Sequence, residues 1–303
     1  MKKKSFCRLL RLIPLPLLAA PLFFASCSSD DSMTPIDEVK TPQRPISVEV
    51  SEAPFGNTTE ARQLTRAAIT DLTSFSSFEM TANNPAKDHY KVTKNGSWVV
   101  DGSWPTDVDD NTPVTFYAYS NGDYNDKSGT PYISFIMDET ASAQHDLLVA
   151  TNTVSRNSHQ GKVPLTFDHA CAALAFNVQI TNTLKTALGS TLTVNSIVLC
   201  NVSNTGKYYF GETPAWGDVS GSAYYTLTDG DITVNNTPQA LSSNYLFVIP
   251  QSSEANGTTG TYLDVTYTFS EQTKTSATIP LPVNWKAGKQ YTINIKLGTT
   301  LIQ

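Results

Sequence analysis

Short runs in which apolar and polar residues alternate recur through most of the chain, and turn-forming residues separate them. In the longest run, every second residue from Ala170 to Ile180 is apolar, which places one face of an extended strand in a core. Many short strands with turn signals between them predict a β-sandwich. Helical periodicity is confined to residues 59–72 and 183–188. We therefore predict an all-β fold.

The predicted strands that follow residue 67 cover residues 97–100, 114–119, 132–136, 170–180, 192–202, 208–210, 224–226, 245–249, 262–269, 275–280 and 290–297. The turn-rich tract 156–161 is rich in Asn, Ser and Gly, which tolerate turn dihedrals. We place a domain boundary there. The prediction is an N-terminal β-sandwich at residues 67–161 and a C-terminal β-sandwich at residues 162–303.

Composition and charge narrow the class of protein. Only 16% of the residues are charged and 40% are hydrophobic, which is typical of extracellular β-sheet proteins. The net charge is -6, and no block of lysine and arginine is present after the first residues. Such a chain has no electrostatic attraction for phosphates, so we expect no nucleic acid partner.

The first 26 residues predict an export signal. A cationic head is followed by an apolar run at residues 12–24, which is too short and too rich in proline to span a membrane as a stable helix. Two small residues precede Cys27, and this resembles the lipobox of bacterial lipoproteins, in which the cysteine is acylated and becomes the new N-terminus. The acidic residues 30 and 31 resemble the surface-export signal of Bacteroidetes lipoproteins. The alternative is that Cys27 simply follows an ordinary cleavage site.

The tail at residues 27–66 is polar and linker-like apart from one stretch. Ile46, Val48 and Val50 alternate with polar residues there, so they share one face of a predicted strand at residues 46–50. That apolar face needs a partner in the folded part of the chain.

The sequence contains no catalytic, cofactor-binding or metal-binding motif: GxSxG, HExxH, CxxC, GxxxxGK and GxGxxG are all absent. The four histidines, at positions 89, 145, 159 and 169, are isolated, and we expect surface or capping roles for them. The acidic tract 106–111 lacks the glutamate of an EF-hand, because Ala118 stands at the twelfth position, so it predicts a solvated loop without metal. We predict a protein that is not an enzyme.

Two further groups of residues leave alternatives open. Cys171 and Cys200 either form a disulfide or are buried thiols, and sequence spacing does not decide between these. Several aromatic residues either form a stacking surface for sugars or pack inside the sheets. These are Trp98, Trp104, Trp216 and the tyrosine pairs at 208–209 and 224–225.

Four segments, in this order, resemble the fimbrillin family of Bacteroidetes, whose lipoproteins build type V pili. They are DLLVA at residues 146–150, the stretch 163–178 with FDHACAALAFNV, LFVIPQ at 246–251 and WKAGKQYTI at 285–293. The resemblance implies two tandem β-sandwiches of the transthyretin-like, Greek-key type. It also implies other fimbrial subunits as partners, a lipid-anchored precursor at the outer membrane and a mature protein in a surface fimbria.

In this family the precursor is cut after an arginine just before the first sandwich. Arg66 matches that position, and Arg62 is second; the alternative is that Arg66 is an ordinary linker residue. Cleavage would remove the strand that carries Ile46, Val48 and Val50. The resemblance implies that the groove it leaves receives a donor strand from the next subunit, which is β-strand addition.

The end of the chain leaves the position in the polymer open. Stalk subunits of the family carry a C-terminal donor extension, whereas this sequence stops six residues after Leu297. The resemblance therefore implies either a stalk subunit or a tip or accessory subunit, and a host protein or glycan is a candidate target. The alternative function is a surface lipoprotein that binds glycans through exposed aromatic residues.

Overall fold

Almost every element among the described residues is a β-strand, which confirms the all-β prediction. The computed structural model describes residues 44–57, 75–127, 129–189, 191–254, 256–268 and 275–299, all within one compact unit, Gln43–Gln303. The strands in these ranges are β1 Ser47–Glu52, β2 Gly56–Asn57, β3 Ser77–Ala82, β4 His89–Asn95, β5 Ser97–Val100, β6 Val114–Tyr119, β7 Asp123–Asn125, β8 Tyr132–Ile136, β9 Leu148–Val154, β10 Lys162–His169, β11 Ala172–Ile180, β12 Leu192–Val202, β13 Thr205–Tyr209, β14 Ala215–Ser220, β15 Ala223–Val234, β16 Gln239–Ala240, β17 Leu246–Val248, β18 Ser252–Ser253, β19 Tyr262–Thr268, β20 Thr275–Pro280, β21 Val283–Asn284 and β22 Lys289–Leu297.

In the described part of the chain, two short α-helices interrupt the strands, α1 at Arg156–His159 and α2 at Asn182–Leu188. The second confirms the helical pattern predicted at residues 183–188. Its first turn is capped by the Thr181 hydroxyl, which accepts the N–H of Leu184 at 3.1 Å. The other predicted helical stretch, residues 59–72, lies outside the described residues. No helix in the described ranges is both long enough and apolar enough to cross a membrane.

Within the described residues the strands form five sheets. The first sheet has the order β1-β10-β9-β6-β3-β4-β5, and β1 and β10 run parallel in it. A second sheet, β16-β11-β22-β2, also pairs β17 with β11, and a third has the order β15-β12-β19-β20. A fourth, β14-β13-β8-β7, and the short pair β18-β21 complete the set.

The first sheet curls around a core of its own, which we call the first core. Its members come from β3, β4, β6, β9 and β10 and from residues beside β1 and β5, and they include Met80, Phe116 and Phe167. The two edge strands of this sheet approach each other at one end, where Pro45 forms an isolated bridge with Ser103. The strand β1 therefore lies along a seam, between β10 and the end of β5.

A second core fills the space between the remaining sheets, and it also reaches the first sheet. Phe116 and Ala118 of β6 point into the first core, whereas Tyr117 and Tyr119 of the same strand belong to the second core. This alternation follows from the two-residue period of a strand. The first sheet is thus buried on both faces along β6.

The predicted boundary between residues 161 and 162 does not coincide with a break in the sheets. The strand β10 begins at Lys162, yet it pairs with β1 and β9 in the first sheet. In the opposite direction, β8 pairs with β13, from Tyr132–Tyr209 to Ile136–Thr205. Because strands on both sides of residue 161 share sheets, a division into two folding domains at that point stays a prediction.

Candidate functional site

The described chain begins with residues 44–57, which we call the N-terminal segment. Its strand β1 pairs in parallel with β10, in a register that runs from Ser47–Lys162 to Glu52–Phe167. The strand was predicted at residues 46–50, and in the structure Ile46 comes just before it. The segment therefore occupies a strand position in the first sheet, although it is the N-terminal end of the described chain.

The three apolar side chains of the segment lie on the face that contacts the first core. Ile46 is buried, and Val48 and Val50 are half-buried against that core. The polar residues between them face outward, and Ser51 Oγ lies 3.0 Å from Thr166 Oγ1 of β10. The segment thus covers apolar surface while its other face stays exposed to solvent.

Arg44 holds the start of the N-terminal segment. Its carbonyl accepts the backbone N–H of the buried Trp104 at 2.7 Å, and its guanidinium donates to Val108 O at 2.9 Å and to Asp110. Asp110 also accepts from Arg156 at 2.7 Å. Partial desolvation raises the pKa of the Asp110 carboxyl, but the hydrogen bonds from Arg44 and Arg156 outweigh it and hold that pKa below its usual value.

Gly161 lies directly under the segment. Its carbonyl accepts the N–H of Ser47 at 3.0 Å. Its φ is 78°, a left-handed conformation that favours glycine. A Cβ at this position would stand 2.5 Å from the carbonyl oxygen of Pro45, so a side chain here would push against the segment's backbone.

His169 receives the other end of the segment. Its Nε2 lies 2.8 Å from Oε1 of Glu52, and its Nδ1 lies 2.5 Å from Oδ2 of Asp146. The ring of Phe55 stacks on the imidazole, with 3.7 Å between the ring centroids and 26° between the planes. Beyond it, the N–H of Gly56 donates to Gly288 O at 2.8 Å, and β2 pairs with β22. The segment thereby connects the first sheet to the second.

The prediction that the histidines have surface or capping roles is wrong for His169. His169 is only 6% exposed and sits at the end of β10. It is neither a surface residue nor a cap, because carboxylates flank both of its ring nitrogens. The sequence pattern gave no sign of this, since its partners lie 23 and 117 positions away in the chain.

The predicted lipidation and processing residues, Cys27, Arg62 and Arg66, lie outside the described residues. Both arginines belong to the stretch 58–74, which connects the N-terminal segment to β3. Their roles stay predictions.

The carboxylates of the acidic tract 106–111 accept hydrogen bonds from residues of the first sheet and its loops. Asp107 accepts from the side chain of Asn84 and from the N–H of Ala86, both at 2.7 Å, and the Asn84 hydrogen bond is the main cause that lowers the pKa of Asp107. Asp109 accepts from Thr112 in the same turn. Among the described residues, no three or more His, Cys, Asp and Glu side chains are grouped so as to hold a metal ion.

The two cysteines of the described chain are separate, buried thiols. Burial raises the pKa of the Cys171 thiol well above its usual value, with a smaller contribution from Asp146. Of the two alternatives left open by the sequence, the structure therefore has buried thiols.

The aromatic residues considered for sugar binding are divided between the two cores. Trp104 is fully buried in the first core, and Tyr208 and Tyr225 are buried in the second. Trp98 and Trp216 pack against those cores, and Trp216 donates its Nε1–H to Ala170 O at 2.6 Å. The structure does not gather these rings on one surface, although Tyr224 itself is 55% exposed.

Comparison with known proteins identifies the relatives of this fold. The sequence model of the family described as Fimbrillin-like matches residues 59–303. None of the curated proteins matches the chain in sequence. A fimbrial protein from Bacteroides vulgatus has a similar structure, with a TM-score of 0.56 and 16% identity over 86% of this chain and 97% of that chain.

Two other solved structures, candidate cell adhesion proteins, are also similar. The protein from Parabacteroides distasonis has a TM-score of 0.53 and 11% identity over 84% of this chain and 89% of that chain. The protein from Bacteroides eggerthii has a TM-score of 0.50 and 14% identity over 86% of this chain and 88% of that chain. At such low identities these structures show a shared fold alone, whereas the sequence match covers most of the chain. The chain belongs to the fimbrillin-like family.

Proposed function

We propose that the protein is a subunit of a surface fimbria and that it joins its neighbours by β-strand addition at the position of the N-terminal segment. The single observation that supports this most is the placement of β1. It is a parallel strand that pairs with β10 at the edge of the first sheet, where Val48 and Val50 pack against the first core beside Val163 and Leu165. If the segment left, β10 would expose unpaired backbone groups beside an apolar groove, which is a template for another strand.

The proposed sequence of events uses the sites predicted from the sequence. Lipid on Cys27 delivers the precursor to the outer membrane, because each buried CH₂ group of an acyl chain contributes about 0.8 kcal/mol. Cleavage after Arg66 then separates the tail, with its lipid and with Ile46, Val48 and Val50, from the rest of the chain. The N-terminal segment protects the groove until that point, and a strand of another subunit replaces it.

The test is digestion of the purified precursor with an arginine-specific protease, followed by unheated SDS gels. Arg66→Lys removes the proposed site but keeps its charge, and Arg62→Lys is the matched control. We expect the unchanged protein and Arg62→Lys to yield a product that starts at Ala67 and accepts a strand, whereas Arg66→Lys does not yield it.

A ladder of bands after cleavage indicates a stalk subunit. A cleaved product that binds an added strand peptide but forms no ladder indicates a tip or accessory subunit. A product that has lost its tail and does neither overturns the proposal of strand addition.

A further inference from the structure

The groups that contact His169 belong to two parts of the chain, one that stays after the proposed cleavage and one that leaves with the tail. Asp146 stays, because its Oδ1 also accepts the N–H of Cys171 at 3.2 Å. Glu52 and Phe55 belong to the N-terminal segment. Any event that removes the segment therefore removes one carboxylate and one aromatic ring from His169 and leaves Asp146 in place.

Both ring nitrogens of His169 face carboxylates while the segment is in place. Nδ1 lies 2.5 Å from Asp146 Oδ2, and Nε2 lies 2.8 Å from Glu52 Oε1. Nε2 is a buried atom that makes no hydrogen bond with any described residue, so its polar neighbour is the Glu52 carboxylate. The side chain of His169 is 4% exposed, and that of Glu52 is 10% exposed. A buried polar nitrogen with no polar neighbour is costly, so an occupant that places an acidic group opposite Nε2 is favoured.

The cavity beside His169 and the backbone hydrogen bonds of the segment determine where such an occupant would place its side chains. A cavity of about 490 Å³ opens beside the cluster and is lined by Glu52, Asp146, His169 and Phe247, among other residues. The N–H of Ala53 donates to Phe167 O at 2.8 Å, which holds the backbone between Glu52 and Phe55 against β10. The acidic and aromatic side chains are therefore presented three positions apart.

We propose that His169 and Asp146 form a receptor that selects the incoming strand by an acidic residue followed three positions later by an aromatic residue. Glu52 and Phe55 fill this receptor in the precursor, and equivalent side chains of another subunit fill it in the fimbria. The inference rests on the proposed function, and it adds the chemistry by which a partner strand is recognised.

Competition among synthetic peptides tests this receptor on the complete, protease-cleaved chain. A fluorescent peptide with the sequence of residues 44–57 is added to the cleaved protein, and unlabelled variants compete for uptake. Glu49→Gln is the matched control, because the Glu49 side chain is 68% exposed and forms its ion pair with the surface Lys162, at 3.5 Å. A peptide with the acid moved from position 52 to position 53 keeps the composition but turns the acid to the other face.

We expect Glu49→Gln to compete within about twofold of the unmodified peptide, because exposed ion pairs contribute little. Glu52→Gln, Phe55→Ala and the shifted peptide should each compete at least about tenfold more weakly, since each loses either the buried contact of the Glu52 carboxylate with His169 Nε2 or the stacking of Phe55 on the imidazole. In a His169→Gln protein, the difference between the unmodified peptide and Glu52→Gln should disappear.

Two results would count against the inference in different ways. If the unmodified peptide binds but all variants compete equally, the groove accepts strands without a receptor at His169, and the inference is wrong. If even the unmodified peptide is not taken up, the proposed strand addition fails and the inference fails with it.

Discussion

Asp110 is the residue through which pH should act on the start of the N-terminal segment. Desolvation raises the pKa of its carboxyl, but the hydrogen bonds from Arg44 and Arg156 lower it below 3.8 overall. A lowered folded-state pKa stabilises the protein above the unfolded-state value, and this contribution is lost as the pH falls through the folded-state pKa. We expect the Tm advantage of the unchanged protein over Asp110→Asn to be constant near neutral pH and to vanish in acid.

Asp218→Asn is the control, because the Lys207 hydrogen bond lowers the pKa of Asp218 in an ion pair that lies away from the segment. Both variants should show the same kind of pH profile in calorimetry. Only Asp110→Asn should speed the release of the tail after cleavage. A Tm difference for Asp110→Asn that persists unchanged to pH 2 would contradict this account.

The residues that hold the segment were the hardest to predict from the sequence. Ile46, Val48 and Val50 were recognisable because the two-residue period of a strand is a local pattern. The partners of Arg44 and Glu52 lie 66 and 117 positions away, and no local pattern links a carboxylate to a distant histidine. His169 stood within a segment that resembles the fimbrillin family, yet its isolation in sequence favoured a surface role.

Among the elements, the close fit between β1 and the turn before β10 makes a second prediction. Gly161→Ala combines a left-handed φ with a Cβ 2.5 Å from the Pro45 carbonyl oxygen, and it should lower the free energy of unfolding by about 2 kcal/mol or more. Gly189→Ala is the matched control, because Gly189 has a φ of 67° with nothing within 4 Å of its Cβ position. It should cost only about 1 to 2 kcal/mol.

Chemical denaturation gives both free energies, and hydrogen exchange of the β1 amides separates the two effects. Gly161→Ala should increase exchange in Ser47–Glu52, whereas Gly189→Ala should leave that exchange unchanged. Equal protection of β1 in the two variants would show that the segment does not depend on its fit over Gly161.

Strand positions were predictable where turn residues bound a run of alternating or β-branched residues. The predicted ranges 132–136, 192–202 and 275–280 match β8, β12 and β20 residue for residue. Other strands were underestimated: the predicted range 224–226 lies near the start of the twelve-residue β15, whose second half contains Asp229, Gly230 and Asp231, residues that are typical of turns. The sequence pattern did not predict which strands pair with each other, because the order of strands in a sheet is set by packing across the whole chain.

At the scale of the whole molecule, the order of the strands within a sheet differs from their order along the chain. The first sheet combines β1 from the N-terminal end with β10 from beyond the predicted domain boundary. Turn composition suggested a boundary at residues 156–161, but a turn that reverses the chain has the same composition as one that separates domains. The consequence is that the segment before residue 58 contacts both the first and the second sheet.

The central claim is that the N-terminal segment and a strand of another subunit occupy the same groove. A reversible lock tests it most directly. Ser51 and Thr166 are neighbours in register on β1 and β10, with 3.0 Å between their side-chain oxygens, so Ser51→Cys with Thr166→Cys can join the segment to the sheet. Thr115→Cys with Thr153→Cys, a similar exposed pair between β6 and β9 at 2.8 Å, is the control lock.

After cleavage by the arginine-specific protease, strand uptake is measured with the labelled peptide of residues 44–57 and by ladders on unheated gels. We expect the oxidised Ser51–Thr166 lock to take up no strand, and uptake to return when the disulfide is reduced. The Thr115–Thr153 lock should take up strands equally well in both states. Undiminished uptake by the oxidised Ser51–Thr166 lock would contradict the claim that the two strands share one groove.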